Sequence, residues 1–235
     1  MSRARAALDM PLPKVLTLIA VQAIVFAALG WGLWSLTDRS EASFVTFAWW
    51  EVGAGFALAT ALIALSAALA LAFPKFAEWL VRSQARQYPF LKNRISLSAI
   101  VIISICAGVG EEALFRGGFQ TLFGDYTPLP LALALSSALF AAIHFAKPIN
   151  SALIFVIGCL FGGIYWANGS LLTVIIGHAV YDVYAIWALQ EALHRFGIFD
   201  EHEEVEPENE PGEPLQAGAA RESLPGRDNA PGEDQ

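Results

Sequence analysis

The sequence predicts an all-α fold, a polytopic membrane helix bundle of about six transmembrane helices with a disordered acidic C-terminal tail. Three observations predict it. Of the 235 residues 56% are apolar and 15% charged, against roughly 45–50% and 25% in soluble domains. Apolar runs long enough to cross a bilayer of about 30 Å recur between turn signals. The charge is also segregated: residues 200–235 hold 12 of the 22 acidic groups and only Arg221 and Arg227 of the 14 basic ones, leaving a tail at −10 and a body at +2. The acidity therefore belongs to the tail, and nothing supplies the broad basic face of a nucleic-acid binder. Cys106 and Cys159, each inside an apolar run, read as small buried hydrophobes and exclude a disulfide framework by count.

The first span, about Val15 to Leu36, follows Arg3, Arg5 and Lys14. It is too long for a signal peptide, and Trp31 and Trp34 suit an interfacial anchor, so it reads as retained. The second, about Phe44 to Phe73, ends at Pro74. Between Lys75 and Arg94 stand Lys75, Arg82, Arg86, Lys92 and Arg94 against the single acid Glu78. The positive-inside rule puts this stretch and the N-terminus on the cytoplasmic side of the plasma membrane. Four more spans follow, about Ile95 to Phe123, Leu129 to Ala146, Ile149 to Ala167 and Leu171 to Leu189. They are separated by Gly124-Asp125-Tyr126-Thr127-Pro128, Lys147-Pro148 and Asn168-Gly169, all turn chemistry. Six crossings return the C-terminus to the cytoplasm, which divides the chain into a multi-pass domain, 1–199, and a cytoplasmic tail, 200–235. Five of the 12 prolines and almost no large apolar residues lie in that tail, so it is expected to be disordered. Gly158 and Gly162 have the four-residue spacing of close helix contact in lipid, though scattered glycines would look the same.

A charged side chain at mid-bilayer costs about 2.5–3.5 kcal/mol on insertion scales, so intramembrane ionisable groups need a reason. They concentrate on three spans: Glu111, Glu112 and Arg116 on the third, His144 on the fourth, His178 and Asp182 on the sixth. Glu112 and Arg116, four apart, share a helix face and can pair. Glu111 is turned about 100° from Glu112 and has no partner in its own helix, which makes it a candidate general base. Asp182 stands four after His178 and can fix that imidazole; Phe140 stands four before His144 and can stack beside it. Gly108, Gly110, Gly117 and Gly118 surround the paired glutamates and permit close helix approach. Three helices can thus aim Glu111, His144 and His178 into one cavity.

These residues form three ordered motifs: Glu111-Glu112-Ala113-Leu114-Phe115-Arg116, Phe140-Ala141-Ala142-Ile143-His144 and His178-Ala179-Val180-Tyr181-Asp182. The pattern, EExxxR then FxxxH then HxxxN/D, resembles the CAAX prenyl-protease and bacteriocin-processing family of intramembrane endopeptidases, from about Ile95 to Leu189. The resemblance implies hydrolysis of a peptide bond of a membrane-associated protein or peptide inside the bilayer. In that scheme Glu111 and His144 activate a water, Glu112 is held by Arg116, and His178 with position 182 stabilises the oxyanion. Here position 182 is Asp where some members have Asn; an ionised Asp cannot donate a hydrogen bond, so orienting His178 becomes its expected role.

No cofactor is expected. A zinc-dependent peptidase using Glu111, His144 and His178 is an alternative without the HExxH pattern, and a non-enzymatic immunity or chaperone-like membrane protein is another. One expectation conflicts with the rest. Counted from Ile95, Glu111 lies about 24 Å along its span, whereas His144 falls near the inner end of a full-length fourth span, so the two would miss each other in depth.

Overall fold

The computed structural model describes residues 10–85 and 87–199, and among them every regular element is helical. The acidic tail and its boundary at residue 200 lie outside the described residues. The helices are α1 (Leu12–Trp34), α2 (Trp49–Ala72), α3 (Pro74–Gln84), α4 (Leu97–Glu112), a π-helical segment (Ala113–Gln120), α5 (Thr121–Tyr126), α6 (Leu129–Ala142), α7 (Pro148–Asn168) and α8 (Leu171–Arg195), with short 3-10 turns at Glu41–Ser43 and Pro89–Lys92. Proline at the first turn starts α1, α3, α6 and α7, where its missing N–H costs nothing. Ser96 and Ser170 cap α4 and α8 by accepting from Ala99 N and Thr173 N. Gly169 ends α7 at φ 66°, a conformation natural only to glycine.

Five of these helices, with Leu97–Tyr126 counted as one continuous rod, are long and apolar enough to cross a membrane. The fourth expected span, about Leu129 to Ala146, is shorter than the sequence suggested. It stops at Ala142, and its 14 residues make about 21 Å of helix. The second span also begins later than expected, because Phe44 to Ala48 is not helical. Instead the buried Glu51 carboxylate accepts from Ala48 N at 2.6 Å and Thr46 Oγ1 at 2.7 Å and so fixes the start of α2. The basic stretch between the second and third expected spans contains a helix, α3, along which Glu78 and Arg82 pair at 3.0 Å.

The Leu97–Tyr126 rod is the centre of the bundle, with 56% of its most apolar stretch buried where α2 has 17%. Burial of its small residues lets neighbours close on it. Gly110 lies against Ala23 of α1, and Gly108 against Ile175 and Ala179 of α8. Gly117 and Gly118 meet Phe44 and Gly30. All four glycines near the paired glutamates therefore sit at close contacts with other parts of the chain. At one end of the bundle Leu12, Leu16, Val81, Leu91, Leu189 and Phe196 share a cluster, so the α1 start, α3 and the α8 end lie together. At the other end Arg39 pairs with Asp125 at 2.8 Å. Cys106 and Cys159 are free and only partly buried, not the fully buried hydrophobes expected.

The tightest glycine contact is at Gly30, where an added Cβ would stand 2.2 Å from the Ala113 carbonyl oxygen; two residues further along the same helix, Gly32 faces open space. Gly30→Leu is therefore expected to destabilise the inserted protein by about 1–3 kcal/mol through overpacking, and Gly32→Leu to stay within about 0.5 kcal/mol of native. Thermal unfolding of both variants in detergent checks this; equal midpoints would contradict it.

Candidate functional site

The rod changes helix type where its charged residues lie. From Ala113 to Gln120 it is a π-helix, one residue wider per turn, a feature that tends to mark functional positions. Side chains serve the carbonyls of this wider turn: Ser136 Oγ donates to Phe115 O at 2.6 Å and Thr121 Oγ1 to Arg116 O at 2.9 Å. The segment is held from α7 as well. Arg116 Nη2 donates to Gly158 O at 3.0 Å, and Gln120 Nε2 to Gly162 O at 2.8 Å. The two glycines four apart thus expose two carbonyls to two side chains four apart. Lacking Cβ atoms, they leave room for the donors: a Cβ on Gly162 would lie 2.5 Å from Gln120 Oε1. Gln120 was not singled out from the sequence, although a polar residue one turn beyond a buried Arg is the signal that finds it.

Arg116 is 1% exposed, and a carboxylate, a backbone carbonyl and two aromatic rings surround its guanidinium. Nε lies 3.2 Å from Glu112 Oε2. Its guanidinium stands 4.6 Å from the Phe140 ring centroid and 6.0 Å from that of Phe161. The expected pair is therefore present in space, with an aromatic face and a carbonyl added.

Glu112 also reaches the other way. Its Oε1 is 2.7 Å from His178 Nδ1, and since a carboxylate only accepts, that nitrogen carries a proton. The sequence assigned the task of holding His178 to Asp182; the structure places Glu112 closer. Asp182 Oδ2 is 3.4 Å from His178 Nε2, and Glu111 Oε2 is 3.8 Å from the same nitrogen. The ring packs between Phe161 at 5.4 Å and Phe140 at 6.3 Å. Its side chain is 9% exposed, against 12% for Glu111, 25% for Asp182 and 0% for Glu112. Exposure rises away from Arg116, so the carboxylate paired with the cation is dry and the other two face the open side.

His144 lies one turn from Phe140, rings 4.8 Å apart. Its Nδ1 is 2.7 Å from Phe140 O. A carbonyl only accepts, so Nδ1 bears the proton and Nε2 is left as the acceptor. His144 follows the end of α6 in a turn where Phe145 has φ 46°. That short helix also resolves the mismatch in depth. Counted from the α5–α6 turn, Glu111 stands 15 residues before Tyr126 and His144 15 after Leu129, both roughly 20 Å away along their helices. The assumption of a full-length fourth span had placed His144 at the membrane's edge. All six candidates, Glu111, Glu112, Arg116, His144, His178 and Asp182, belong to one neighbourhood built from the rod, α6 and α8. Among the described residues no group of three or more His, Cys, Asp or Glu side chains is arranged to hold a metal ion.

The shared carboxylate makes Arg116 structurally indispensable. Arg116→Met keeps much of the side-chain volume but strands the 0%-exposed Glu112, and breaking such a buried pair costs about 3–5 kcal/mol. The yield of folded protein and its unfolding midpoint are expected to drop together. A stable Arg116→Met protein would contradict this assignment.

Comparison with known proteins points the same way. Residues 93–184 match the family described as type II CAAX prenyl endopeptidase Rce1-like. An uncharacterized protein of Bacillus subtilis (strain 168), YpbD, is 30% identical over 125 residues, covering 51% of this chain and 60% of that relative. No solved structure matches. The family match spans the rod, α6, α7 and the part of α8 that bears His178 and Asp182, and it bears out the resemblance of this chain to the CAAX prenyl-protease and bacteriocin-processing family.

Proposed function

We propose that this membrane protein is an intramembrane endopeptidase that hydrolyses a peptide bond of a membrane-associated protein or peptide with a water activated by Glu111. One observation carries the reading. Of the three carboxylates around His178, Glu112 is taken up by Arg116 and by Nδ1, whereas Glu111 accepts no hydrogen bond from the described residues and has His178 Nε2 at 3.8 Å as its near neighbour. Asp182 stands closer to that nitrogen, at 3.4 Å, so Glu111 is the carboxylate left available to a water. His144, with Nε2 as its free acceptor, borders the same space.

The chemistry follows from these roles. Glu111 takes a proton as the water oxygen bonds to the scissile carbonyl carbon. Negative charge grows on the carbonyl oxygen, where a histidine flanked by carboxylates on both nitrogens is arranged to donate. The C–N bond then breaks and the proton passes from Glu111 to the leaving amine. Glu112 and Arg116 fix the His178 ring without touching the substrate. Asp182, 3.4 Å from Nε2, orients His178 and favours its protonated ring before substrate arrives, and yields the Nε2 proton to the oxyanion as charge develops there. The Rce1-like match supports the endopeptidase class, and the clustering of the α1 start, α3 and the α8 end at one basic end supports insertion in the cytoplasmic membrane with both termini in the cytoplasm.

Glu111→Gln is nearly isosteric and is expected to lose about 10²–10⁴-fold in cleavage while remaining folded. His144→Ala is expected to lose a similar amount. The substrate for the assay is the membrane-protein precursor that accumulates in a deletion strain and disappears on complementation. Near-native turnover by Glu111→Gln, or complementation by Glu111→Ala, would overturn the reading, and loss of activity in chelator would turn it toward zinc. At position 182 we expect Asp182→Asn to keep measurable activity with an altered pH profile, because the amide still offers an acceptor, and Asp182→Ala to be far worse. Superimposable pH–rate profiles for native and Asp182→Asn proteins would refute the orienting role.

A further inference from the structure

The turn that carries His144 is held by a segment outside the three motifs. Because α6 ends at Ala142, the carbonyls that follow it lack helical donors. The His144 carbonyl receives one from far along the chain: Gln87 Nε2 donates to it at 3.0 Å. Gln87 lies on the connector between α3 and α4, and that connector is fixed at both ends. Before it, Asn150 Nδ2 at the start of α7 donates to the buried Ser83 Oγ at 3.0 Å. After it, Leu91 is fully buried in the core. The turn needs such support, since Phe145 holds a left-handed φ of 46° with its side chain 93% exposed and so gains little from packing.

The neighbouring residue places the connector beside the reacting groups. Burial, and then the charges of Asp182 and Glu111, push the Tyr88 phenol up to about 12. It therefore stays neutral and adds no charge to the cluster.

We propose that Gln87 is a positioning residue: its amide fixes the His144 turn and thereby sets the direction of the His144 ring relative to Glu111. This rests on the endopeptidase reading above. The bond acts on geometry and not on binding, so its loss falls on kcat.

The test uses the full chain in liposomes and the accumulated precursor as substrate. Gln87→Leu is expected to lower kcat by about tenfold or more through misplacement of the imidazole, with KM within about twofold of native. Gln87→Glu is the second arm. A glutamic acid donates to a carbonyl only when protonated, so the activity of this variant relative to native is expected to rise as pH falls toward the ordinary glutamate value of about 4.3. A purely structural role would leave that ratio flat. Native kcat in Gln87→Leu alongside an inactive His144→Ala would overturn the positioning role while leaving the endopeptidase reading in place. If Gln87→Leu does not insert stably, the pH series of Gln87→Glu decides alone, and a flat ratio overturns the proposal. Native-like cleavage by both Glu111→Gln and His144→Ala would bring down the reading and this proposal with it.

Discussion

The burial of Arg116 is the constraint on which the rest of the structure depends. A guanidinium at this depth is stable only if its charge and its donors are met within the protein. Glu112 supplies the countercharge, Phe140 an aromatic face and Gly158 a carbonyl. Each partner then constrains something else. The Gly158 carbonyl brings α7 against the π segment, a contact that Gln120 repeats one turn on at Gly162. Phe140 fixes α6 in register, which places the His144 turn at the depth of Glu111. Glu112 carries the constraint to α8 by holding His178 Nδ1. Arg116, Glu112 and His178 thus form a buried relay from the rod to α8, and the two remaining carboxylates take positions at its exposed end.

That relay separates two tasks that acidic residues at one site would otherwise share. Glu112 is fully buried with both oxygens engaged, so it orients. Glu111, its immediate neighbour in sequence, is turned about 100° around the axis and meets only the far side of the His178 ring. The helix widening begins directly after this pair, at Ala113, which lets Arg116 reach α7 while both glutamates stay on regular α-helix. In energetic terms the protein concentrates its polar burial in the Arg116–Glu112–His178 chain and leaves Glu111 next to it lightly held.

Much of this was legible in the sequence, for physical reasons. Hydropathy and turn residues located the helices because lipid permits few other structures. The four-residue spacing of Glu112 and Arg116, and of Phe140 and His144, located partners because helical periodicity is rigid. What escaped is equally instructive. Widening into a π-helix shifts hydrogen bonds by one residue without changing composition, and Gly117-Gly118 is the one local hint. Nothing in the apolar run through Ala146 says that α6 stops at Ala142, or that Gln87, 57 residues before His144, donates to the carbonyl of the turn that follows. The pairing of His178 with Asp182 was inferred from spacing along one helix; its closer partner Glu112 sits on another, at a distance periodicity cannot express.

A double-substitution cycle on Arg116 and Glu112 tests the central claim most directly. If the two form one buried unit, removing either leaves a stranded group, and removing both leaves none. The account predicts that Arg116→Met/Glu112→Gln, measured by thermal unfolding in detergent, is more stable than the sum of the single losses implies, with a coupling of about 1–3 kcal/mol. The amide at 112 would still accept from His178, so α8 keeps its hold. Strictly additive losses would contradict the account, because they would mean that Arg116 and Glu112 are buried independently and that no relay joins the rod to the histidine.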